Sequence, residues 1–250
     1  MTRLANKVAL ITGSSRGIGR ATALAFAQEG AALIAVHYAS NEAAAQATVR
    51  ELEKLGTKAV AVQADLRTGK AAAGRIRDQL AAVTDQLDIL VNNAGIAPAL
   101  PLSDTTEAQF DEIMTVNFKA PFFLIQALAG RIRDNGRIIN ISTGFTRVAA
   151  PGHPAYAASK GALETLTLAL APDFARRGIT VNTVMPGVTS TDMNAEWLAR
   201  PEARAGAEAM SVFSRVGQPE DVADVVAFVA SPQARWVTGQ VLDATGGVRL

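Results

Sequence analysis

Cysteine is absent from this chain, which excludes disulfides, thiolate metal ligands and a thiol nucleophile. Histidine is scarce. His37 and His153 are the only two, too few and too scattered to suggest a metal centre. A dominant charge is missing as well: 24 basic against 23 acidic side chains leave a net charge of +1. No basic run marks a nucleic-acid surface. No apolar stretch approaches the length of a bilayer span. The polar opening residues lead straight into a strand-like run and do not read as a signal peptide. The expectation is a cytoplasmic protein with neither a membrane nor a nucleic-acid partner.

What the chain does have is apolar material, 49% of 250 residues, enough for one α/β domain with a well-buried core. Short apolar runs at 8–11, 32–36, 60–63, 89–92, 137–141, 180–184 and 241–243 read as strands. Between them, 20–28, 41–55, 70–83, 106–129, 155–176 and 220–230 read as helices, with Asn41 as a cap and Gly56 as a stop. Pro121 and Pro172 fall inside two of these helices, where a missing backbone donor predicts a bend or a break. The alternation implies a Rossmann-type, doubly wound α/β fold. Its seven-stranded sheet is mostly parallel, with helices on both faces. One domain spans 1–250, and 189–216, the long stretch without a strand, reads as a lid over a site.

Two local patterns carry the chemistry. The first is a glycine-rich turn from Thr12 to Gly19, between the first strand and the first helix. Gly13 permits the tight turn, and Gly17 and Gly19 let the backbone approach a pyrophosphate at the helix N-terminus. The spacing departs from G-x-G-x-x-G, so the turn alone is weak evidence. The second is Tyr156 and Lys160, four residues apart. Residues so spaced share a helix face, with Cβ atoms roughly 5–6 Å apart. An ammonium beside a phenol favours the phenolate and lowers its pKa from about 10. Such a tyrosine exchanges a proton with an alcohol or carbonyl near neutral pH. Together the two patterns suggest hydride chemistry at a C–O centre.

These patterns belong to a longer series: Thr12-Gly-x-x-x-Gly-Ile-Gly19, Asn92-Asn-Ala-Gly95, Asn117, Ser142, Tyr156-x-x-x-Lys160 and Pro186-Gly187, in that order. From about Lys7 to Gly247 the chain resembles a short-chain dehydrogenase/reductase of the common 250-residue type. The resemblance implies that Tyr156 is the general acid/base and that Lys160 also holds the nicotinamide ribose. It implies that Asn117 holds a water in a proton relay and that a serine positions the substrate oxygen. The family's serine usually lies thirteen residues before the tyrosine, where this chain has Thr143; Ser142 lies fourteen before. The fungal naphthol reductases of the family keep the serine at fourteen, and their loop resembles Pro151–Tyr156. Ser142 is therefore the expected hydroxyl, with Thr143 able to do the same work.

Cofactor contacts are expected along the C-terminal ends of the strands. The first turn offers Gly13, Ser15, Arg16, Gly17, Ile18 and Gly19, and the second strand ends at His37 and Ser40. Asp65 and Leu66 follow the third strand; Asn92, Ala94 and Gly95 follow the fourth; Tyr156 and Lys160 complete the catalytic side. Pro186, Gly187, Val188, Thr189 and Thr191 follow the sixth strand. Carboxylates that select NAD sit at the end of the second strand, and none occurs in Val36–Ser40. With Arg16 available for a charge-assisted phosphate contact, the expected cofactor is NADP(H) rather than NAD(H). No metal is expected.

The leading expectation is an NADP(H)-dependent ketone reductase with a small-molecule substrate. A 3-oxoacyl-thioester reductase and a cyclic, polyketide-like ketone reductase are the two candidates. The first would need a basic patch for an acidic carrier protein, and Arg131, Arg133, Arg200 and Arg204 are its candidates. A non-catalytic dinucleotide sensor is the competing class; it would have lost the tyrosine, lysine or serine. Met193, Trp197, Leu198, Met210, Val212 and Phe213 predict an apolar lid. The family resemblance implies a homotetramer or homodimer built partly on the helix containing Pro172.

Overall fold

The computed structural model describes residues 2–248. Seven parallel strands form one sheet in the order β3-β2-β1-β4-β5-β6-β7. They are β1 (Val8–Ile11), β2 (Leu33–Tyr38), β3 (Lys58–Gln63), β4 (Leu87–Asn92), β5 (Ile132–Ile141), β6 (Thr180–Pro186) and β7 (Val241–Ala244). The helices are α1 (Gly17–Gln28), α2 (Glu42–Lys54), α3 (Lys70–Ala81), α4 (Glu107–Met114), α5 (Ala120–Leu128), α6 (Pro154–Ala175), α7 (Asp192–Leu198), α8 (Pro201–Met210) and α9 (Pro219–Ala230). No helix among the described residues is long and apolar enough to cross a membrane.

The central strands are buried on both faces, and β1, β2 and β4 carry apolar residues at consecutive positions rather than at every second one. Alternation then divides them. Val8 and Leu10 pack with α3, α5 and α6, whereas Ala9 and Ile11 pack with α1, α2 and α9. In β5, Ile138 joins the first layer and Ile139 and Ile141 the second. β1 sits between β2 and β4, so the chain winds outward in both directions from it. A sheet of this kind opens a crevice at that switch point, beyond the C-terminal ends of the strands.

Of the two helix prolines, Pro121 acts as expected and Pro172 does not, each for a local reason. Pro121 has no N–H for the carbonyl of Asn117, and the expected long helix divides just before it. A π-turn over Thr115–Lys119 separates α4 from α5. Pro172 does not end α6, which runs unbroken for 22 residues. The bond it forfeits belongs to the carbonyl of Leu168, a residue 63% exposed. The 189–216 stretch is not irregular: α7 and α8 fill most of it, and Leu198, Ala207 and Val216 form its own small core.

Candidate active site

A cleft of about 1180 Å³ lies over the C-terminal ends of β1, β4, β5 and β6, closed on one side by α7. The glycine-rich turn forms its floor. Gly13 has φ +65° and Gly17 has φ +56°, in the left-handed backbone region that favours glycine. Gly13, Ser15, Arg16, Gly17 and Ile18 all line the cleft. Gly19 does not: a Cβ there would lie 2.5 Å from both Asn93 Nδ2 and the Gly13 carbonyl. Its bareness serves the packing of the turn on β4, which corrects its expected role beneath a pyrophosphate.

His37 is a second correction. It is 2% exposed, and both ring nitrogens are engaged. Nδ1 accepts from the Gly13 N–H at 3.0 Å, and Nε2 faces the Ala64 carbonyl at 3.0 Å. Since a carbonyl only accepts, Nε2 carries the proton. Burial pushes the pKa down to about 4, so the ring is neutral at pH 7. His37 braces the turn and has no donor left for a phosphate.

The end of β4 forms the next wall. Thr12 Oγ1 accepts from the N–H groups of Asn93 and Ala94 at 2.9 and 3.0 Å. Asn93 Nδ2 donates to the Thr12 carbonyl at 2.8 Å, and Asn93, not Asn92, lines the cleft. Asn92 points into the sheet and donates to Asn140 Oδ1 at 2.8 Å. The expected cofactor contact at Asn92 is thus displaced by one residue, the consequence of side chains alternating along a strand. Ala94 and Gly95 line the cleft, as do Ser40, Asp65 and Leu66. Asp65 also caps the short turn after β3, accepting from the Arg67 N–H at 3.0 Å.

Asn117 lies in the π-turn, fully buried. Its Oδ1 accepts from the Ile96 N–H at 2.9 Å, and its Nδ2 donates to the Ile96 carbonyl at 2.9 Å and Ser159 Oγ at 3.1 Å. Lys160 is 3% exposed, and its Nζ donates to the Ile141 carbonyl at 2.8 Å. Gly95 fits between the two: a Cβ there would stand 3.1 Å from Asn117 Oδ1 and 3.3 Å from Lys160 Nζ. Burial without a carboxylate pushes the Lys160 pKa down to about 8.

Tyr156 is half-buried beside Phe145 and His153, whose ring centroids lie 6.3 and 6.4 Å away. Burial raises its pKa, and the Thr143 hydroxyl opposes that rise. Lys160 was expected to be the group acting on the phenol. Its ammonium instead reaches back to β5, so Thr143 holds that position in this structure.

Thr143 therefore replaces Ser142 as the hydroxyl facing Tyr156. Thr143 Oγ1 accepts from the Phe145 N–H at 3.4 Å, which leaves the hydroxyl proton free to donate. Ser142 is 3% exposed and donates to Glu164 Oε1 at 2.5 Å. Strand parity explains the exchange. Ile138, Asn140 and Ser142 share the face of β5 covered by α6. Thr143, the next residue, caps the turn beyond the strand and lines the cleft.

Pro186, Gly187, Val188, Thr189 and Thr191 continue the cleft wall after β6. Thr191 precedes α7, and its side chain caps nothing. On the lid, Met193, Trp197 and Met210 line the cleft. Leu198 is buried beneath the lid, while Val212 and Phe213 are exposed. Arg16 spans the mouth, its Nη1 3.5 Å from Asp192 Oδ2 on α7, with both side chains about two-thirds exposed. Arg131 and Arg133 flank the N-terminal end of β5, the opposite end of that strand from the cleft. They cannot join Arg200 and Arg204 in a patch near the lid.

A family model described as enoyl-(acyl carrier protein) reductase matches residues 13–249. The hydroxynaphthalene reductase-like protein of Metarhizium brunneum is 39% identical over 257 residues, covering 98% of this chain and 95% of its own. Among solved structures, the promiscuous reductase LugOII catalyses keto-reduction at C1 during lugdunomycin biosynthesis. It aligns with a TM-score of 0.93 at 48% identity, covering 99% of this chain and 100% of that one. The angucycline C-6 ketoreductase LanV, solved with bound NADP, aligns at 0.92 and 43% identity, covering 98% of this chain and 96% of that one.

The buried Lys160 makes a prediction about stability. Its pKa falls from 10.5 to about 8 on folding, so at pH 7 the charged form opposes folding by about 3 kcal/mol. Replacing it by methionine removes that term and strands one carbonyl, at about 1–2 kcal/mol. Lys160→Met should therefore be more stable than wild type by about 1–2 kcal/mol in urea unfolding at pH 7. A depressed pKa yields its full stability only above the unfolded value, so this advantage should vanish as pH rises from 8 to 10.5. A variant less stable at pH 7, by an amount independent of pH, would contradict the assignment.

Proposed function

The chain belongs to the short-chain dehydrogenase/reductase family, and from that premise we propose that it reduces a planar, polycyclic aromatic ketone with NADPH. The observation that carries the reading is the phenol of Tyr156 facing the cleft beside the Thr143 hydroxyl, above the buried amine of Lys160. Such a set handles a proton at an oxygen that is becoming an alkoxide.

The cofactor end suits a phosphorylated dinucleotide. Gly13 and Gly17 leave the floor bare, and no carboxylate ends β2. His37 is neutral and occupied, and Arg16, in the glycine-rich turn itself, is the cation we assign to a 2′-phosphate. Its ion pair with Asp192 is solvent-exposed, hence weak and exchangeable. When bound, the dinucleotide supplies the hydride. Thr143 and Tyr156 then hold the ketone oxygen, and Tyr156 gives up its proton as the alkoxide forms. Lys160 supplies positive charge on the same helix face and a donor for the nicotinamide ribose. Asn117 and Ser159 keep the π-turn against the 95–96 backbone, so that Gly95 stays in place beside Lys160.

The aromatic substrate class is supported by the rest of the cleft. Phe145, His153 and Trp197 line it with Met193 and Met210, apolar and flat surfaces suited to fused rings. The LugOII and LanV relatives carry out ketone reductions in the biosynthesis or chemistry their names describe, lugdunomycin and angucycline. A 3-oxoacyl thioester on a carrier protein is less well served, because two of the four arginines expected to receive the carrier, Arg131 and Arg133, lie at the opposite end of β5 from the cleft.

NADPH oxidation measured over a panel of anthraquinone-like, naphthol-derived and 3-oxoacyl ketones tests the reading. Fused-ring ketones should turn over, and Tyr156→Phe should lower kcat by roughly 10²–10⁴-fold. Arg16→Ala should raise KM for NADPH and leave KM for NADH unchanged. Preference for NADH, or full activity in Tyr156→Phe, would refute it.

We also place the chain in a cytoplasmic homo-oligomer, a tetramer or a dimer. Trp236 is 96% exposed and Leu168 63%, apolar surface suited to a partner subunit. Sedimentation should give two or four chains per particle; a single chain would contradict this.

A further inference from the structure

Helix α6 carries a third polar residue on the stripe begun by Tyr156 and Lys160. Glu164 lies one turn beyond Lys160 and two turns beyond Tyr156. Its Oε1 accepts from Ser142 Oγ at 2.5 Å and from Thr146 Oγ1 at 2.8 Å. The Thr146 hydroxyl also lies 3.0 Å from the Thr143 carbonyl. Among the described residues, Glu164 makes no ion pair within 4.0 Å; Lys160 turns to the Ile141 carbonyl instead. The carboxylate therefore spends its acceptor capacity on two hydroxyls that flank Thr143 in sequence. Hydrogen bonds to a charged acceptor are the strong ones.

We propose that Glu164 is a positioning residue that fixes the 142–146 turn, so that Thr143, and not Ser142, presents its hydroxyl to Tyr156. Glu164 reaches neither the cleft nor the phenol. It engages Ser142 on the α6 side and anchors Thr146 below the turn. With both ends tied, Thr143 caps the turn through its own hydroxyl and lines the cleft together with Tyr156. The three stripe residues then grip successive parts of one segment: Lys160 the Ile141 carbonyl, Glu164 the hydroxyls of Ser142 and Thr146, and Tyr156 the hydroxyl of Thr143.

The test has a spectroscopic arm that needs no substrate. The chain has two tyrosines, so Tyr38→Phe leaves Tyr156 as the sole phenol. In that background, near-ultraviolet tyrosinate absorbance titrates Tyr156 directly. Its titratable neighbours Lys160 and His153 stay unchanged. Glu164→Gln and Glu164→Ala both remove the charge, but only glutamine keeps an acceptor for Ser142 and Thr146. The apparent pKa should be higher in Glu164→Ala than in Glu164→Gln, and should match that of Thr143→Val. Equal values for the alanine and glutamine variants would overturn the proposal. If Glu164→Ala does not fold, Ser142→Ala combined with Thr146→Val removes both donors and should give the same rise; no rise would overturn the proposal.

The kinetic arm rests on the reductase reading. Glu164→Ala should lower kcat about tenfold with KM for NADPH unchanged, and add no further loss in a Thr143→Val background. Glu164→Gln should restore kcat to within about twofold of wild type, as one acceptor replaces another. Equal losses in both backgrounds would overturn the positioning role. A wild type inactive on every ketone, with the titration difference intact, would instead remove the reductase reading and leave the positioning role standing.

Discussion

The register of α6 against the end of β5 is the contact on which the site depends. Tyr156, Lys160 and Glu164 occupy successive turns of one helix and meet the segment from Ile141 to Thr146. A shift of one residue in either element would exchange Ser142 with Thr143 and leave a buried ammonium without its carbonyl. Apolar packing sets the layer spacing, since Leu163, Leu166 and Phe174 join Ile138 and Val181 in one core. Apolar contact alone tolerates sliding. The polar bonds do not: Asn140 Nδ2 donates to Thr167 Oγ1 at 2.8 Å, and Thr167 pairs with Thr183 of β6 at 2.7 Å. A buried polar group left without its partner is expensive, so this ladder selects a single register.

The cleft is open for reasons of the same kind. Its floor is backbone, because a side chain on Gly13 would meet Ala94 at 3.0 Å and one on Gly95 would meet Asn117 and Lys160. The turn that presents this backbone is held from beneath by the neutral ring of His37 and from the side by Thr12 and Asn93. Arg16, the cation of the first turn at the cleft mouth, is exposed and loosely held. Rigid neutral groups thus shape the dinucleotide end, while mobile charge is kept at its rim.

Much of this was legible in the sequence. Strand and helix alternation fixed the fold, since strands with consecutive apolar residues, such as β1, belong to a doubly covered parallel sheet. Tyr156 and Lys160 were legible because helical spacing is rigid. The misreadings fall where a segment leaves regular structure. Ser142 was preferred over Thr143 by counting back from Tyr156 through a loop, whereas counting forward along β5 gives the right face. The same parity separates Asn92 from Asn93. His37 looked like a cofactor contact because its depth in the sheet depends on β3 and the segment after it, which supply Ala64. Glu164 was passed over, although its place on the Tyr156–Lys160 stripe was visible, because a carboxylate on a helix is ordinarily a solvated charge. Pro121 marked a discontinuity, but its form, a π-turn that buries Asn117, is set by tertiary packing.

The central claim is that the reacting oxygen is held between Tyr156 and Thr143 while Ser142 remains bound to Glu164. A crystal structure of the protein with NADP⁺ and a fused-ring ketone tests it most directly. The account predicts the ketone oxygen within hydrogen-bonding distance of Tyr156 Oη and Thr143 Oγ1, with the Ser142–Glu164 bond intact. A ketone oxygen on Ser142, with Thr143 turned away, would contradict it.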